Sequence, residues 1–284
     1  QHELIILCRN KALGEQTVKE LGAVAGNGRI SFVLCNLARM RDVHRAIREI
    51  KYKHNYLDAL FMNAGLGYAA QRVETEDGLM EHFQVNYLSQ FMLALNLLSL
   101  LEKSAAGGRI IFNVIEHGEI YWNDLQMTSD WKYKKALLQA MAAKRLLMYQ
   151  LHRLYSVPGK PAIAFTGFQI PKTVWTNQLN IIPASMRIMA TVARWFGQFM
   201  SINECGEIMA PLFLATKEES LLRSGKFLTW KHNRFVEITG DAAAANPEAM
   251  ERLWRISVQL CADEETARVA KELAQRRVAQ PVFS

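Results

Sequence analysis

Short apolar runs alternate with stretches of helical spacing along most of this chain. Leu4 to Cys8 (LIILC), Ile30 to Cys35 (ISFVLC), Leu57 to Met62 (LDALFM), Arg109 to Val114 (RIIFNV), Pro161 to Thr166 (PAIAFT) and Gly225 to Trp230 (GKFLTW) read as buried strands. Lys11 to Leu21, Met40 to Lys53, Gly78 to Leu101 and Lys134 to Tyr155 read as helices. In the second of these, Val43, Ile47 and Ile50 recur at helical spacing and define one inward face. Gly78 to Leu101 is apolar on more than one face, which predicts burial on both sides. Asn246 followed by Pro247 opens a last helix to Leu260, with Asn as the cap and Pro at the first helical position. Strands separated by helices pair in parallel through right-handed crossovers, so the expected class is α/β with a doubly wound parallel sheet. No repeat and no linker divides the chain. Residues 1–284 are expected to form a single domain, with 246–275 as a C-terminal helical segment.

Composition adds a class and a compartment. The 284 residues are 50% hydrophobic, enough for a sizeable core, and the net charge is +7. Arg39, Arg41, Arg45, Arg48, Lys51 and Lys53 share one helix, which reads as a solvated face, with an anion-binding patch as the alternative. Cys8, Cys35, Cys205 and Cys261 show no C-x-x-C spacing, so neither a disulfide framework nor a metal site is expected. That suits an intracellular reducing compartment, mitochondrial or cytoplasmic, with the endoplasmic-reticulum surface as a further option. No apolar run reaches the roughly 18 residues of a membrane span, and no signal peptide is visible. No nucleic-acid motif stands out. The chain begins at Gln1 rather than Met, which reads as a fragment, a processed product or an incompletely defined N-terminus.

Five motifs then occur in one order: Leu7-Cys8-Arg9-Asn10; Asn63-Ala64-Gly65; Asp77-Gly78-Leu79 through His82-Phe83-Gln84-Val85-Asn86 to Phe91; Ser224-Gly225-Lys226-Phe227; and Asn246-Pro247-Glu248 to Leu253-Trp254. Together, over about residues 2 to 262, they resemble the short-chain dehydrogenase/reductase family, and within it the retinol-dehydrogenase-like branch. The resemblance implies a Rossmann-like sheet and NADP as the cofactor. It implies that Arg9 meets the 2′-phosphate, where a guanidinium suits a dianion. Asn36 stands where the family has an acidic residue facing the adenine. Asn63, Ala64 and Gly65 would line the cofactor ribose, Lys144 would hold the nicotinamide ribose, and Thr173 would touch the cofactor amide. Asn86 matches an asparagine that holds a helix kink and a water relay. Phe168 is expected to project into the nicotinamide space. Residues 168–202 fall on the family's substrate lid. Within it, 181–200 is rich in Met and aromatics, with Arg187 and Arg194 seven apart. Such a segment suits a lipophilic ligand, a membrane surface or a protein partner, with ordinary packing as the plain alternative.

The departures from the family are as informative as the matches. No T-G-x-x-x-G-x-G turn occurs, and the chain starts at what resembles the second strand. The absent first strand would sit mid-sheet, so the sheet is expected to be gapped. Either about 30 to 40 residues are missing or another segment fills the slot. The family serine is replaced at Ile115, in Phe112-Asn113-Val114-Ile115. The family tyrosine is replaced at Ala140, four residues before Lys144. A general acid contributes roughly 10²- to 10⁴-fold, so losing both hydroxyls should leave little hydride transfer. Tyr133, the Tyr149/Arg153 pair and the His117/Glu116 pair are candidate substitutes, each better explained by helix packing or an exposed loop. The expectation is a catalytically degenerate protein serving as a structural or binding subunit of a larger assembly. It would meet protein partners through Tyr121, Trp122, Trp131 and Tyr133, or a second copy through the helices 78–101 and 134–155. The alternative is an NADP(H)-dependent oxidoreductase acting on a lipophilic alcohol or carbonyl. A third option is a non-redox enzyme or small-molecule sensor.

Overall fold

The computed structural model describes residues 2–26, 29–156, 163–176, 182–239 and 246–278, without the side chains of 276–278. Among them, β1 (Leu4–Cys8) pairs in parallel with β2 (Ile30–Leu34), linked by α1 (Lys11–Ala25). Then α2 (Met40–Lys53) leads to β3 (Ala59–Met62). The next helical stretch is α3 (Glu81–Phe83), a π-helical turn (Gln84–Leu88) and α4 (Ser89–Leu101). It is followed by β4 (Arg109–Asn113), α5 (Tyr133–Tyr155) and β5 (Ala164–Gln169). A small two-stranded sheet joins β6 (Thr173–Val174) to β7 (Phe199–Met200), with α6 (Ala184–Trp195) between them. After α7 (Ile202–Phe213) and α8 (Lys217–Arg223), β8 (Phe227–Lys231) and β9 (Arg234–Glu237) form a hairpin. The chain closes with α9 (Pro247–Cys261) and α10 (Glu264–Val278). None of these helices is long and apolar enough to cross a membrane.

The main sheet has the order β3-β4-β5-β8-β9, parallel except for the last pair. The β1–β2 pair is hydrogen-bonded to neither edge of it. This is the gap expected from the sequence: β1 and β3 each keep an unpaired edge among the described residues. Side chains bridge the two sheets instead. Asp77 Oδ2 accepts from Met40 N–H at 2.8 Å and so caps α2 from across the chain. Ser89 Oγ donates to the Leu37 carbonyl at 2.6 Å. Val43, Ala46, Ile47 and Ile50 of α2 share one core with Met62 and α4.

Every residue of α4 except Ser99 is buried. The helix lies among α2, α9 and α10, which explains its lack of a polar stripe. Phe91 meets Trp254 edge-on at 5.3 Å, and the Tyr87 and Ser257 hydroxyls lie 2.6 Å apart. The long family-like motifs are therefore the two halves of one helix contact. On the sheet's other face, Arg109 is buried and donates to the carbonyls of Phe213, Ala215, Ala106 and Gly107, fastening α7 and α8 to the start of β4.

Several boundaries differ from the sequence reading. The long helix starts at Glu81 rather than Gly78, because Gly78 has φ +73° and closes a turn onto Thr75. β5 begins at Ala164 and runs to Gln169, so Gly167, Phe168 and Gln169 are strand rather than turn or lid. Pro161 lies outside the described residues. The segment 246–275 is two helices, broken where Ala262 turns left-handed (φ +48°) and Asp263 caps the next helix at Thr266. Replacing Trp254 by Ala should cost about 3–5 kcal/mol of unfolding free energy, because a buried aromatic leaves a cavity against Phe91. Urea denaturation measures this, and a loss under about 1 kcal/mol would mean that the helix contact is not part of the cooperative core.

Candidate functional site

Two groups of polar side chains lie at the C-terminal ends of the strands, where open α/β sheets bind ligands. The first surrounds a cavity of about 620 Å³ lined by Arg9, Leu34, Asn36, Arg39, Arg41, Asp42, Arg45 and Arg48. Arg9 follows β1 and Asn36 follows β2, so strand pairing brings them together. Arg41, Arg45 and Arg48 are spaced four and three apart and share one face of α2. The arginine face weighed as solvated or anion-binding thus lines a pocket with Arg9. Lys51 and Lys53 belong elsewhere, paired with Glu265 at 3.4 Å and Glu49 at 2.6 Å. Two carboxylates offset part of the charge. Glu76 meets Arg39 at 3.2 Å and Arg41 at 3.1 Å, and Asp42 meets Arg45 at 3.1 Å. Among the described residues, Arg9 and Arg48 have no ion pair. Asn36 accepts from Ala38 N–H at 3.1 Å, so this position offers an amide rather than a carboxylate.

The second group is built around the end of β3 and the π-helical turn. Asn86 is fully buried. Its Oδ1 accepts from Leu66 N–H at 2.6 Å and its Nδ2 donates to the Leu66 carbonyl at 3.0 Å. Gln90 Nε2 donates to the Ala64 carbonyl at 2.7 Å, and Asn113 Nδ2 donates to Asn63 Oδ1 at 2.9 Å. A Cβ on Gly65 would sit 3.3 Å from Asn86 Oδ1, so a small residue suits that close approach. Lys144, on α5, is fully buried and donates to the Met62 carbonyl at 3.3 Å. Burial pushes its ammonium down from the ordinary 10.5 to about 7.

The loop after β4 is laced onto α5. Arg145 donates to the Ile115 carbonyl. Gln139 accepts from Tyr121 N–H and donates to the Leu125 carbonyl, both at 2.9 Å. Gly118 has φ +134°, and a Cβ there would lie 2.3 Å from the Leu138 carbonyl oxygen. No group of three or more His, Cys, Asp or Glu is placed to hold a metal among the described residues.

Residues 1–126 match the family model for short chain dehydrogenase. Human polyprenol dehydrogenase is 30% identical over 167 residues, 57% of this chain and 50% of that protein. Mouse retinol dehydrogenase 12 is 26% identical over 257 residues, 90% of this chain and 77% of that protein. The chain spans about half the length of the first curated relatives it matches. An uncharacterised protein from Mycobacterium paratuberculosis shares the fold at a TM-score of 0.62 and 19% identity, over 92% of this chain and 84% of that one. NADPH-bound carbonyl reductase from chicken fatty liver does so at 0.55 and 18%, over 82% and 87%. Over residues 1–126 the chain is thus similar to the short-chain dehydrogenases, and its relatives include polyprenol and retinol dehydrogenases.

The family's positions can now be located. Asn63, Ala64, Gly65, Asn86 and Lys144 come together, as do Arg9 and Asn36. Thr173 is exposed in β6, its backbone paired with Phe199. The arginine-lined cavity fits the 2′-phosphate of NADP, since it gathers Arg9 and the guanidinium groups at the start of α2. The two family hydroxyl positions carry no O–H: Ile115 is half-buried and Ala140 is fully buried in the main core.

Phe168 does not project toward the nicotinamide space. As the fifth residue of β5 it points to the opposite face, packed with Ile111, Met209, Leu212 and Leu228. His117 and Glu116 are exposed, and Glu116 N–H donates to Gln169 Oε1 at 2.6 Å. Tyr133 stacks edge-on with Tyr68 at 5.0 Å, and Arg153 meets Glu251 at 3.6 Å. Trp122 lies under Arg252 at 4.6 Å and Trp131 near His82 at 6.3 Å, so these aromatics already have partners within the chain. Gln90, Gln139 and Arg145 were not anticipated, because only the fold reveals the backbone groups they satisfy.

The shift of Lys144 has a signed consequence. Below about pH 7 the lysine is charged in folded and unfolded chains, and its burial penalty is present in full. Between about 7 and 10.5 the unfolded chain keeps a proton that the folded chain releases, so stability from this group rises with pH. Lys144→Met should therefore stabilise more at about pH 6 than at about pH 10, by on the order of 3 kcal/mol. Urea unfolding of both proteins at the two pH values reads this directly. A difference that does not change with pH would refute the shift.

Proposed function

We propose that the chain is an NADP(H)-linked oxidoreductase of the class acting on lipophilic alcohols or carbonyls. Its relation to polyprenol and retinol dehydrogenases supports the class. The observation that carries the cofactor choice is the cavity where Arg9, Arg39, Arg41, Arg45 and Arg48 surround Asn36. When bound, NADP(H) supplies the hydride. Asn63, Ala64 and Gly65 would line its ribose, Lys144 would hold the nicotinamide ribose, and Thr173 would touch its amide. Lys144 takes a second role: with Ile115 and Ala140 lacking an O–H, it is the group here that holds and releases a proton near neutral pH. The free thiols of Cys8, Cys35, Cys205 and Cys261 suit a reducing intracellular compartment.

One observation favours a second reading. Asn86, Ala140 and Lys144 are all fully buried, and Gln139 and Arg145 tie the loop after β4 to α5. A site closed in this way suits a binding or structural subunit that has lost turnover. Calorimetry with NADPH and NADH, followed by a turnover screen on lipophilic carbonyls, separates the two. NADPH should bind more tightly than NADH, and the double variant R9E/R48E should weaken NADPH at least about tenfold while changing NADH little, as expected for charge-assisted contacts to one phosphate. Turnover lost in K144M establishes the first reading. Binding without turnover moves the chain to the second. No binding at millimolar NADPH rejects the nucleotide site itself.

A further inference from the structure

The helix α6 (Ala184–Trp195) buries none of its residues. A helix of that length is marginal in water unless an apolar face is covered. Its faces are unequal. Met186, Ala190 and Ala193 are half-buried and turn toward the protein. At 100° per residue, Ile188, Val192 and Trp195 lie on the far side, with Met189 and Phe196 on one flank. Ile188 is 66% exposed, Trp195 82% and Phe196 77%. The other flank carries Arg187 and Arg194, both exposed, and Arg194 lies over the Trp175 ring at 4.5 Å. Trp175 in turn meets Phe199 edge-on at 5.2 Å, so the small β6–β7 sheet anchors the base of the helix and leaves its apolar side uncovered.

Charge narrows what can cover that side. No Asp or Glu occurs anywhere from Trp131 to Asn203, while lysine and arginine recur through the stretch, Lys172 among them. An apolar arc bordered by cations, with Trp and Phe at its end and no carboxylate in its own stretch of sequence, matches an anionic lipid surface. The aromatic and aliphatic side chains enter the acyl boundary, and the guanidinium groups remain among the phosphates. A protein partner would need an acidic rim around an apolar groove, and a second copy of this chain would bring like charge against like.

We propose that α6 is a membrane-surface docking helix that seats this chain on anionic phospholipid. The proposal is independent of whether the site turns over. Co-sedimentation of the full chain with phosphatidylcholine vesicles, with and without phosphatidylserine, tests it. The chain should partition onto phosphatidylserine vesicles and be released by high salt. I188E/W195E should lower the partition coefficient at least about tenfold on these vesicles. R187E should lower it about fivefold or more per charge lost on phosphatidylserine vesicles and have little effect on phosphatidylcholine alone. Both variants change exposed positions, so circular dichroism and thermal melts should match the parent and exclude misfolding. Equal sedimentation of parent and I188E/W195E overturns the proposal. So does a parent that ignores vesicles but elutes as a dimer that I188E/W195E converts to monomer, which would make the face an interface between copies.

Discussion

Asn86 commits both ends of its amide to a single residue, Leu66, and much of the site's geometry depends on that pairing. The π-helical turn at Gln84–Leu88 places the amide where it can reach across. Further hydrogen bonds then hold the loop after β3. Asn63 meets Asn113 of β4, Ala64 is held by Gln90, and the Met62 carbonyl is left for Lys144. The two bonds to Leu66 leave Nδ2 a second N–H and Oδ1 a second lone pair. In this structure Asn86 positions the loop after β3.

That division explains how the fold persists while two hydroxyls are absent. The positions most like the family are packing positions. Asp77 caps α2, Phe91 meets Trp254, Tyr87 meets Ser257, and Gly65 permits a close backbone approach. Losing the Phe91–Trp254 or Tyr87–Ser257 contact would open a cavity or strand a buried polar group, and a larger residue at Gly65 would crowd Asn86. Ala140 puts a buried methyl where the family has a hydroxyl-bearing ring, on the face of α5 that also carries Ala136 and Ala143. Fold alone does not settle what a chain with these replacements does.

The strand–helix alternation, the parallel order and the capped C-terminal helix were legible in the sequence because each rests on local periodicity or on one cap. The gap between β1 and β3 was legible from the missing glycine-rich turn. The arginine pocket was half legible: helical spacing put the arginines on one face, but only the β1–β2 register shows that Arg9 and Asn36 face the same space. Phe168 was misread because β5 runs three residues further than its apolar run suggested, and one strand residue more or less reverses the face a side chain occupies. Gln90, Gln139 and Arg145 could not be found at all, since their partners are carbonyl and amide groups of distant loops.

The gap also sets how the two halves of the site are coupled. Arg9 and Asn36 belong to the β1–β2 pair, whereas Asn63, Asn86 and Lys144 belong to the main sheet and its helices. Among the described residues no backbone ladder joins them. Their separation is held by the buried face of α2, by Asp77 at its N-terminus and by Ser89 on Leu37. A ladder would fix that distance through many cooperative hydrogen bonds, while a packed interface yields to repacking of a few side chains. The anion pocket is consequently positioned by Val43, Ile47 and Ile50 as much as by its own arginines, although none of these three touches it.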